Sequence, residues 1–232
     1  MVKRIKLMLS LMMISLFFIC LVGCMSSEEE DMETGALEYL EKKYPDDEFE
    51  PKGIYGGGAG MSHHGFVFSS NNYPEKDICV VKSGEYYRDS YIPIKYENQT
   101  RKMLEEIATE LVGDDYYIVL DVSNDVLNVD ANISFEDYIA LKYNNLSFAI
   151  YTSNSLDKEE KEQFENRLKD SFGSRNLIVT GVIGFDRGTD AYVQMKKTND
   201  YSEYGVVKNC DLICSFDIKE KGEFSYINWR EY

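Results

Sequence analysis

The sequence has little positive charge and little proline. Lys and Arg together number 25 against 41 Asp and Glu, so the formal charge is −16. Nucleic acid binding needs clustered Lys and Arg to neutralise phosphates, and this shortage excludes nucleic acid as an expected partner. Only 4 of the 232 residues are Pro and 44% are hydrophobic, so the chain has enough apolar surface to fold.

Histidine is equally scarce, and both copies, His63 and His64, stand side by side after the glycine-rich run 56–60. Neighbouring side chains of a strand point to opposite faces, and the common zinc-binding patterns, H-E-x-x-H and paired C-x-x-C, do not occur. The run also lacks the Lys-Ser/Thr of a phosphate-binding loop, and residues 60–65 lack the G-x-S-x-G of a nucleophile elbow. We therefore expect a flexible connector at 56–60, with a site at His63 or His64 as the alternative.

Five cysteines are present, of which Cys20 lies in an apolar N-terminal stretch and Cys24 directly follows that stretch. Cys210 and Cys214 alternate with apolar residues, which predicts that both face one side of a strand. Four residues of a strand span about 13 Å, whereas a disulfide needs Cα atoms within about 7 Å, so these two cannot bond to each other. Cys79 either bridges to one of them or, like both, is a buried small hydrophobic residue.

The N-terminal segment has the form of an export signal. Basic residues at positions 3, 4 and 6 precede an apolar stretch over residues 7–22, which is short for a bilayer core of about 30 Å. The stretch ends in Leu21-Val22-Gly23-Cys24, which resembles the lipobox of bacterial lipoproteins. In that family the cysteine thiol receives a diacylglyceryl group and the peptide before it is removed. The resemblance implies that residues 1–23 are a signal peptide and that lipidated Cys24 anchors the protein to the outer face of the cell membrane. A signal anchor with an ordinary cysteine is the alternative.

Removal of residues 1–23 takes away three basic residues and no acidic ones, so the mature chain carries −19. An anionic lipid surface repels such a body. Residues 24–33 are mainly polar and acidic, and we expect an acidic tether that holds the folded part away from the membrane. Residues 38–44, followed by Asp47-Glu48-Phe49, resemble the opening of uncharacterised surface lipoproteins of Gram-positive bacteria. That resemblance covers residues 34–91 and implies no activity.

Hydrophobic periodicity predicts an α+β fold with a mixed sheet. The predicted helices are 34–44, 96–112, 134–143 and 156–172, and the predicted strands are 48–55, 65–70, 77–82, 85–91, 116–122, 146–152, 177–185, 191–195, 206–218 and 224–230. An N-terminal helix and antiparallel meander come first, and an α/β half follows. In that half, a strand-helix-strand unit pairs in parallel and the last strands form an antiparallel hairpin. The regions 34–113 and 114–232 are either two units or one continuous domain, with a seam at residues 113–115.

Acidic and amide side chains are concentrated after the apolar run 116–122. Asp121, Asp125 and Asp130 supply hard oxygen ligands of the kind that calcium prefers, although the glycine and the final glutamate of an EF-hand loop are missing. These three residues are the weak candidates for a metal site, and an Asx-rich turn is the alternative. The loop 186–190 allows the same two interpretations.

Tyrosine is abundant, with 18 copies, several of them clustered between residues 86 and 117. Their rings either form an exposed platform for a sugar or peptide, or pack in cross-strand pairs. With 41 acidic residues, some carboxylates stand at any chosen spacing, so spacing does not indicate a glycosidase.

No nucleophile, phosphate or strong metal motif stands out, which favours a non-enzymatic binding or interaction module of the cell envelope, with no cofactor. Its protein or small-molecule partner is left open by the sequence. The alternatives are an envelope hydrolase that uses His63 or His64 with carboxylates, and a small solute- or calcium-binding lipoprotein. A clamshell solute-binding subunit of a transporter is disfavoured because two similar α/β lobes are missing.

Overall fold

The computed structural model describes residues 27–55, 65–120, 122, 126–141, 146–173, 175, 177–186, 210–219 and 223–232. Several sequence predictions lie outside these residues: the signal peptide, Cys24, the glycine run with His63 and His64, and the strand at 191–195. Asp121 and Asp125 also lie outside them.

The described chain contains an N-terminal helix, a run of four strands and then a mixture of helices and strands, as is typical of an α+β fold. The elements are α1 (Ser27–Lys43), β1 (Phe49–Tyr55), β2 (Gly65–Ser70), β3 (Ile78–Ser83), β4 (Tyr86–Asp89), α2 (Tyr91–Val112), β5 (Tyr116–Leu120), α3 (Phe135–Ile139), β6 (Leu146–Thr152), a 3-10 turn (Lys158–Glu160), α4 (Lys161–Gly173), β7 (Val179–Phe185), β8 (Leu212–Ile218) and β9 (Phe224–Glu231).

The first sheet contains β1, β2, β3 and β4 in sequence order, and every neighbouring pair is antiparallel. Phe66 and Phe68 of β2 are buried, while Val67 and Ser69 are more exposed. This alternation is expected of a sheet with one covered face. The predicted helix and antiparallel meander are confirmed.

The second sheet has the order β5-β6-β7-β8-β9. β6 and β7 pair in parallel across the crossover that contains α4, and the other neighbours are antiparallel. The predicted mixed sheet, parallel unit and C-terminal hairpin are therefore confirmed. β8 begins at Leu212, whereas the prediction began at residue 206.

The first helix begins earlier than predicted, at Ser27 instead of residue 34. Residues 27–33 of the predicted acidic tether are thus helical. Glutamate is a good helix former, and negative charges in the first turn interact favourably with the helix dipole, so the acidic run 28–31 favours the helix.

The second helix also begins earlier, at Tyr91 instead of residue 96. Pro93 is tolerated there because backbone N–H groups in the first turn have no partner within the helix. The Asp89 carboxylate accepts a hydrogen bond from the backbone N–H of Tyr91 at 3.0 Å. Asp89 is the last residue of β4, and its side chain satisfies one of the first N–H groups of α2.

The other helices follow their sequence signals with different lengths. Ser134 precedes α3, and its hydroxyl accepts a hydrogen bond from the backbone N–H of Asp137, which confirms the predicted cap. α3 ends at Ile139, before the predicted residue 143. The helix predicted at 156–172 begins with a 3-10 turn and becomes α-helical at Lys161.

The core is continuous between the two sheets. α2 contacts β3 of the first sheet, β5 of the second sheet and α4. The apolar stripe of α2 is buried, and hydrophobic residues of both sheets belong to one cluster. The core therefore continues across the seam predicted at residues 113–115. Among the described helices, none is long and apolar enough to cross a membrane.

Three cysteines lie within the described chain, and no disulfide bond forms among them: Cys79, Cys210 and Cys214 are all buried. The prediction that they are small hydrophobic residues is confirmed. Burial raises the pKa of the Cys210 and Cys214 thiols to about 12. Both thiols are therefore protonated and poorly nucleophilic at neutral pH.

Gly181 lets two aromatic rings meet over the middle of β7. In the sheet register it lies between Phe148 of β6 and Phe216 of β8. A methyl group at Gly181 would come within 2.3 Å of Cζ of Phe216 and 2.8 Å of Cζ of Phe148. Both rings are buried, so they cannot withdraw without disturbing the core.

Gly181→Ala should lower the free energy of unfolding by about 1–3 kcal/mol, because the added methyl group overpacks the core. Urea unfolding measures the change. Gly173→Ala is the matched control, since a methyl group at the end of α4 meets nothing within 4 Å. Equal stability of the two variants would contradict the assigned packing.

Candidate functional site

Asp89, at the end of β4, is the most buried carboxylate among the described residues and is 1% exposed. Its oxygens accept hydrogen bonds from the hydroxyl of Tyr39 at 2.6 Å, Nζ of Lys43 at 2.7 Å and the hydroxyl of Tyr44 at 2.8 Å. With the backbone bond to Tyr91 already described, the carboxylate is fully hydrogen-bonded. A buried charge is tolerated only when it is paired in this way.

The local sequence explains why these donors converge. Tyr39 and Lys43 are four residues apart on α1 and therefore lie on the same face of the helix. Tyr44 directly follows α1, and Pro45 prevents the helix from continuing. The backbone of Asp89 also forms an isolated bridge with Leu127. One residue thus joins four parts of the chain: its carboxylate binds α1, the residue after it and the start of α2, and its backbone binds the segment around residue 127.

A second buried carboxylate, Asp47, lies in the turn between α1 and β1 and is 8% exposed. It accepts hydrogen bonds from the hydroxyl of Ser70 at 2.5 Å and from the backbone N–H groups of Glu48 at 2.8 Å and Asn72 at 3.1 Å. Asp47 therefore fixes the turn after α1 against the end of β2.

Aromatic rings fill the space between the two carboxylates. The rings of Tyr44 and Tyr91 stack with centroids 3.9 Å apart, and the ring of Tyr73 meets Tyr91 edge-on at 5.2 Å. The hydroxyl of Tyr91 accepts a hydrogen bond from the side-chain amide of Asn72 at 3.2 Å. Aromatic pairs prefer such edge-on and stacked arrangements, so these contacts orient the rings in addition to burying them.

These rings line an open cavity of about 280 Å³, which we call the tyrosine cavity. Its lining comes from four separate parts of the chain: residues 43–47, residues 72–73, Tyr91 and Lys95 of α2, and residues 131–132. The last part directly follows Asp130, one of the candidate calcium ligands.

The electrostatic environment keeps the tyrosine hydroxyls protonated. Burial first, and the charge of Asp89 second, raise the pKa of Tyr39 and Tyr44 well above the ordinary value of 10.0. Burial also raises the pKa of Tyr91 and Tyr73. At neutral pH the hydroxyls of Tyr39 and Tyr44 therefore act as hydrogen-bond donors to Asp89.

The groups at the cavity wall are ammonium, hydroxyl, amide and carboxylate groups on a partly aromatic frame. A few convergent polar groups in a concave site are typical of small-molecule binding. No cluster of three or more His, Cys, Asp or Glu that could hold a metal ion occurs among the described residues.

Most sequence-predicted site residues lie outside the described chain: Cys24, His63, His64, Asp121 and Asp125. Their proposed roles stay predictions. Asp130 is described and exposed, and its carboxylate accepts a hydrogen bond from the backbone N–H of Asn132 at 2.7 Å. This contact is the Asx-turn geometry that was the alternative to calcium binding.

The buried donors and acceptors that build the cavity were not among the residues predicted from the sequence. Asp89 is one of 41 acidic residues, and its partners on α1 lie 45–50 positions away. One local signal was available: an acidic residue at the end of a strand, two positions before the first residue of a helix. Tyr91, which the prediction placed in a strand, is instead a buried residue at the start of α2, and Tyr96 is buried in the helix where it was predicted.

No family model and no curated protein matches the sequence. Among solved structures, the crystal structure of a DUF5037 family protein from Ruminococcus gnavus ATCC 29149 is similar, with a TM-score of 0.47 and 14% identity, over 82% of this chain and 93% of that chain. A likeness at this level supports no conclusion about family or function.

Asp89→Asn should lower the free energy of unfolding by about 3–5 kcal/mol, because the Lys43 ammonium, on a side chain only 13% exposed, would lose its counter-charge. Urea unfolding of the full chain measures the loss. Asp77→Asn is the matched control, because it breaks an exposed ion pair. The side chains of Lys52 and Asp77 are 49% and 53% exposed, so its loss should lower the free energy of unfolding by less than about 1 kcal/mol.

The double variant Lys43→Met/Asp89→Asn distinguishes charge pairing from shape. It should recover part of the stability lost in Asp89→Asn, because it removes the unpaired ammonium. A double variant that is no more stable than Asp89→Asn would show that the ion pair is not the reason for the loss.

Proposed function

We propose that the protein is a lipid-anchored, non-enzymatic protein on the extracytoplasmic face of the cell membrane, and that it binds a small polar molecule in the tyrosine cavity. The proposal has two parts, an anchor and a binding site. The anchor is supported by the sequence Leu21-Val22-Gly23-Cys24. The binding site is supported by the cavity.

The position of α1 is compatible with an anchor at Cys24. The helix begins three positions after this cysteine and is 17 residues long. Two acyl chains of a diacylglyceryl group give stable membrane attachment, since each buried CH₂ contributes about 0.8 kcal/mol. The acidic body would be repelled by anionic lipids, which favours its projection into the extracytoplasmic space.

The main support for the binding function is that internal hydrogen bonds already hold the cavity wall in place before a ligand binds. Asp47 and Asp89 are buried and hydrogen-bonded, and together they fix the tyrosines and the end of α1. A wall that is already rigid loses little conformational entropy when a ligand binds, so even a small contact area supports measurable affinity. A volume of about 280 Å³ suits a small molecule and is too small for a folded partner.

Cells that express the full chain should incorporate labelled palmitate into this protein, because diacylglyceryl transfer to Cys24 places acyl chains on it. Cys24→Ala should abolish incorporation, and Cys20→Ala should leave it unchanged. Labelling followed by immunoprecipitation measures both. Undiminished incorporation in Cys24→Ala, or none in the wild type, would overturn the anchor.

The binding function is tested with the full chain purified in detergent and a panel of small polar solutes. At least one solute should raise the melting temperature, since a ligand at about 100 times its Kd adds roughly 2.7 kcal/mol of stability. Ala131→Trp should abolish the shift because it fills the cavity. Gln99→Trp, on the exposed face of α2, should retain the shift. A solute that stabilises Ala131→Trp equally would place binding elsewhere, and a panel without any shift would contradict the function.

A further inference from the structure

The polar groups of the tyrosine cavity fall into two sets. In the first set, hydrogen bonds are completed inside the protein: the hydroxyl of Tyr44 donates to Asp89, Asp47 accepts three bonds, and the Tyr91 hydroxyl accepts one from Asn72. These groups form the frame. A ligand would gain little from them because their partners are already present.

The second set lines the cavity and still has hydrogen-bonding capacity for a ligand. Two of its members are ammonium groups. Lys43 has three N–H donors, of which Asp89 and Tyr39 accept two within the described residues, and its side chain is 13% exposed. The other ammonium group belongs to Lys95, which is exposed, lies 5.2 Å from the centroid of the Tyr96 ring and has a long contact, 3.5 Å, to the carbonyl oxygen of Ala131. Both groups offer donors to an acceptor in the cavity.

One carboxylate is open as well. Asp46 is exposed, lines the cavity, and has no hydrogen bond or ion pair with any other described residue. It adjoins Asp47, whose oxygens are already hydrogen-bonded. The cavity therefore presents positive donors and a negative acceptor at the same time, in a body of strongly negative charge.

We infer that the tyrosine cavity binds a small zwitterion of the free α-amino acid class, with its carboxylate directed to Lys43 and Lys95 and its ammonium group directed to Asp46. This inference rests on the proposed binding function and specifies its ligand. Hydrogen bonds between charged groups are roughly twice as strong as those between neutral groups, so a zwitterion uses the open groups better than a sugar does.

Ligands with a single kind of charge fit less well. A cation would meet the ammonium groups of Lys43 and Lys95, and a multiply charged anion would meet Asp46 and the net negative charge of the chain. The volume of about 280 Å³ lies just below the range of roughly 300–1,000 Å³ that is usual for ligand pockets, which favours a molecule of amino acid size over a peptide.

Calorimetry on the full chain in detergent tests the inference with three matched probes. The free amino acids should include at least one that binds. Its N-acetyl form, which lacks the ammonium charge, and its amide form, which lacks the carboxylate, should each bind about tenfold to hundredfold more weakly, as expected for the loss of a charged hydrogen bond. Equal binding of either derivative would overturn the inference.

Two exposed residues allow the site to be tested without unfolding the protein. Lys95→Ala and Asp46→Asn should each weaken amino acid binding by about tenfold or more. The matched controls, Lys102→Ala on α2 and Asp170→Asn on α4, are exposed residues away from the cavity and should leave the affinity unchanged. Unchanged affinity in Lys95→Ala and Asp46→Asn would contradict the proposed orientation.

Monosaccharides form the last arm and separate this inference from the function on which it rests. Binding of a monosaccharide that Ala131→Trp abolishes, with no binding of any amino acid, would overturn the zwitterion and keep the binding function. Failure of both classes to bind would overturn the zwitterion as well, and the broader solute panel then decides the function separately.

Discussion

The buried ion pair between Lys43 and Asp89 is the contact on which the arrangement of the N-terminal half depends. A carboxylate that is 1% exposed is costly to desolvate, and it is stable here because an ammonium group, two tyrosine hydroxyls and a backbone N–H surround it. These donors come from α1 and from the start of α2. Both helices are therefore held against β4 by the same group.

This constraint determines the shape of the candidate site. Tyr44 is directed inward by its bond to Asp89, and its ring then stacks on Tyr91. Asp47 holds the turn after α1 against β2, so the cavity has a firm wall on each side of the rings. Two exposed side chains that line the cavity, Lys95 and Asp46, lie at its edge. α1 begins three positions after Cys24 in the sequence and ends at this wall, so the proposed lipid anchor would lie before the helix and the candidate site lies after it.

The sequence predicted those elements whose signals are local. Period-2 runs gave β2 and β6, the parallel unit followed from a strand-helix-strand order, and Ser134 marked the start of α3. It failed at the starts of α1 and α2, because a helix start depends on what satisfies its first N–H groups, and Asp89 does this for α2 from outside the helix. The candidate site could not be predicted from the sequence for a related reason. Its members are separated by tens of residues, and the one local signal, at Asp89, depends on the start of α2, which the sequence prediction misplaced.

The sequence by itself determined the fold class, the strand order within each local unit, the absence of a bond between Cys210 and Cys214, and the motif that implies an anchor at Cys24. These properties follow from periodicity, spacing along an extended strand and short motifs, which are local. Only the tertiary structure decided that Asp47 and Asp89 are buried, which tyrosines meet, and that an open cavity lies between the end of α1 and the start of α2. Burial and pairing of a charge depend on neighbours brought together by the whole fold, so they are visible only once the chain has folded.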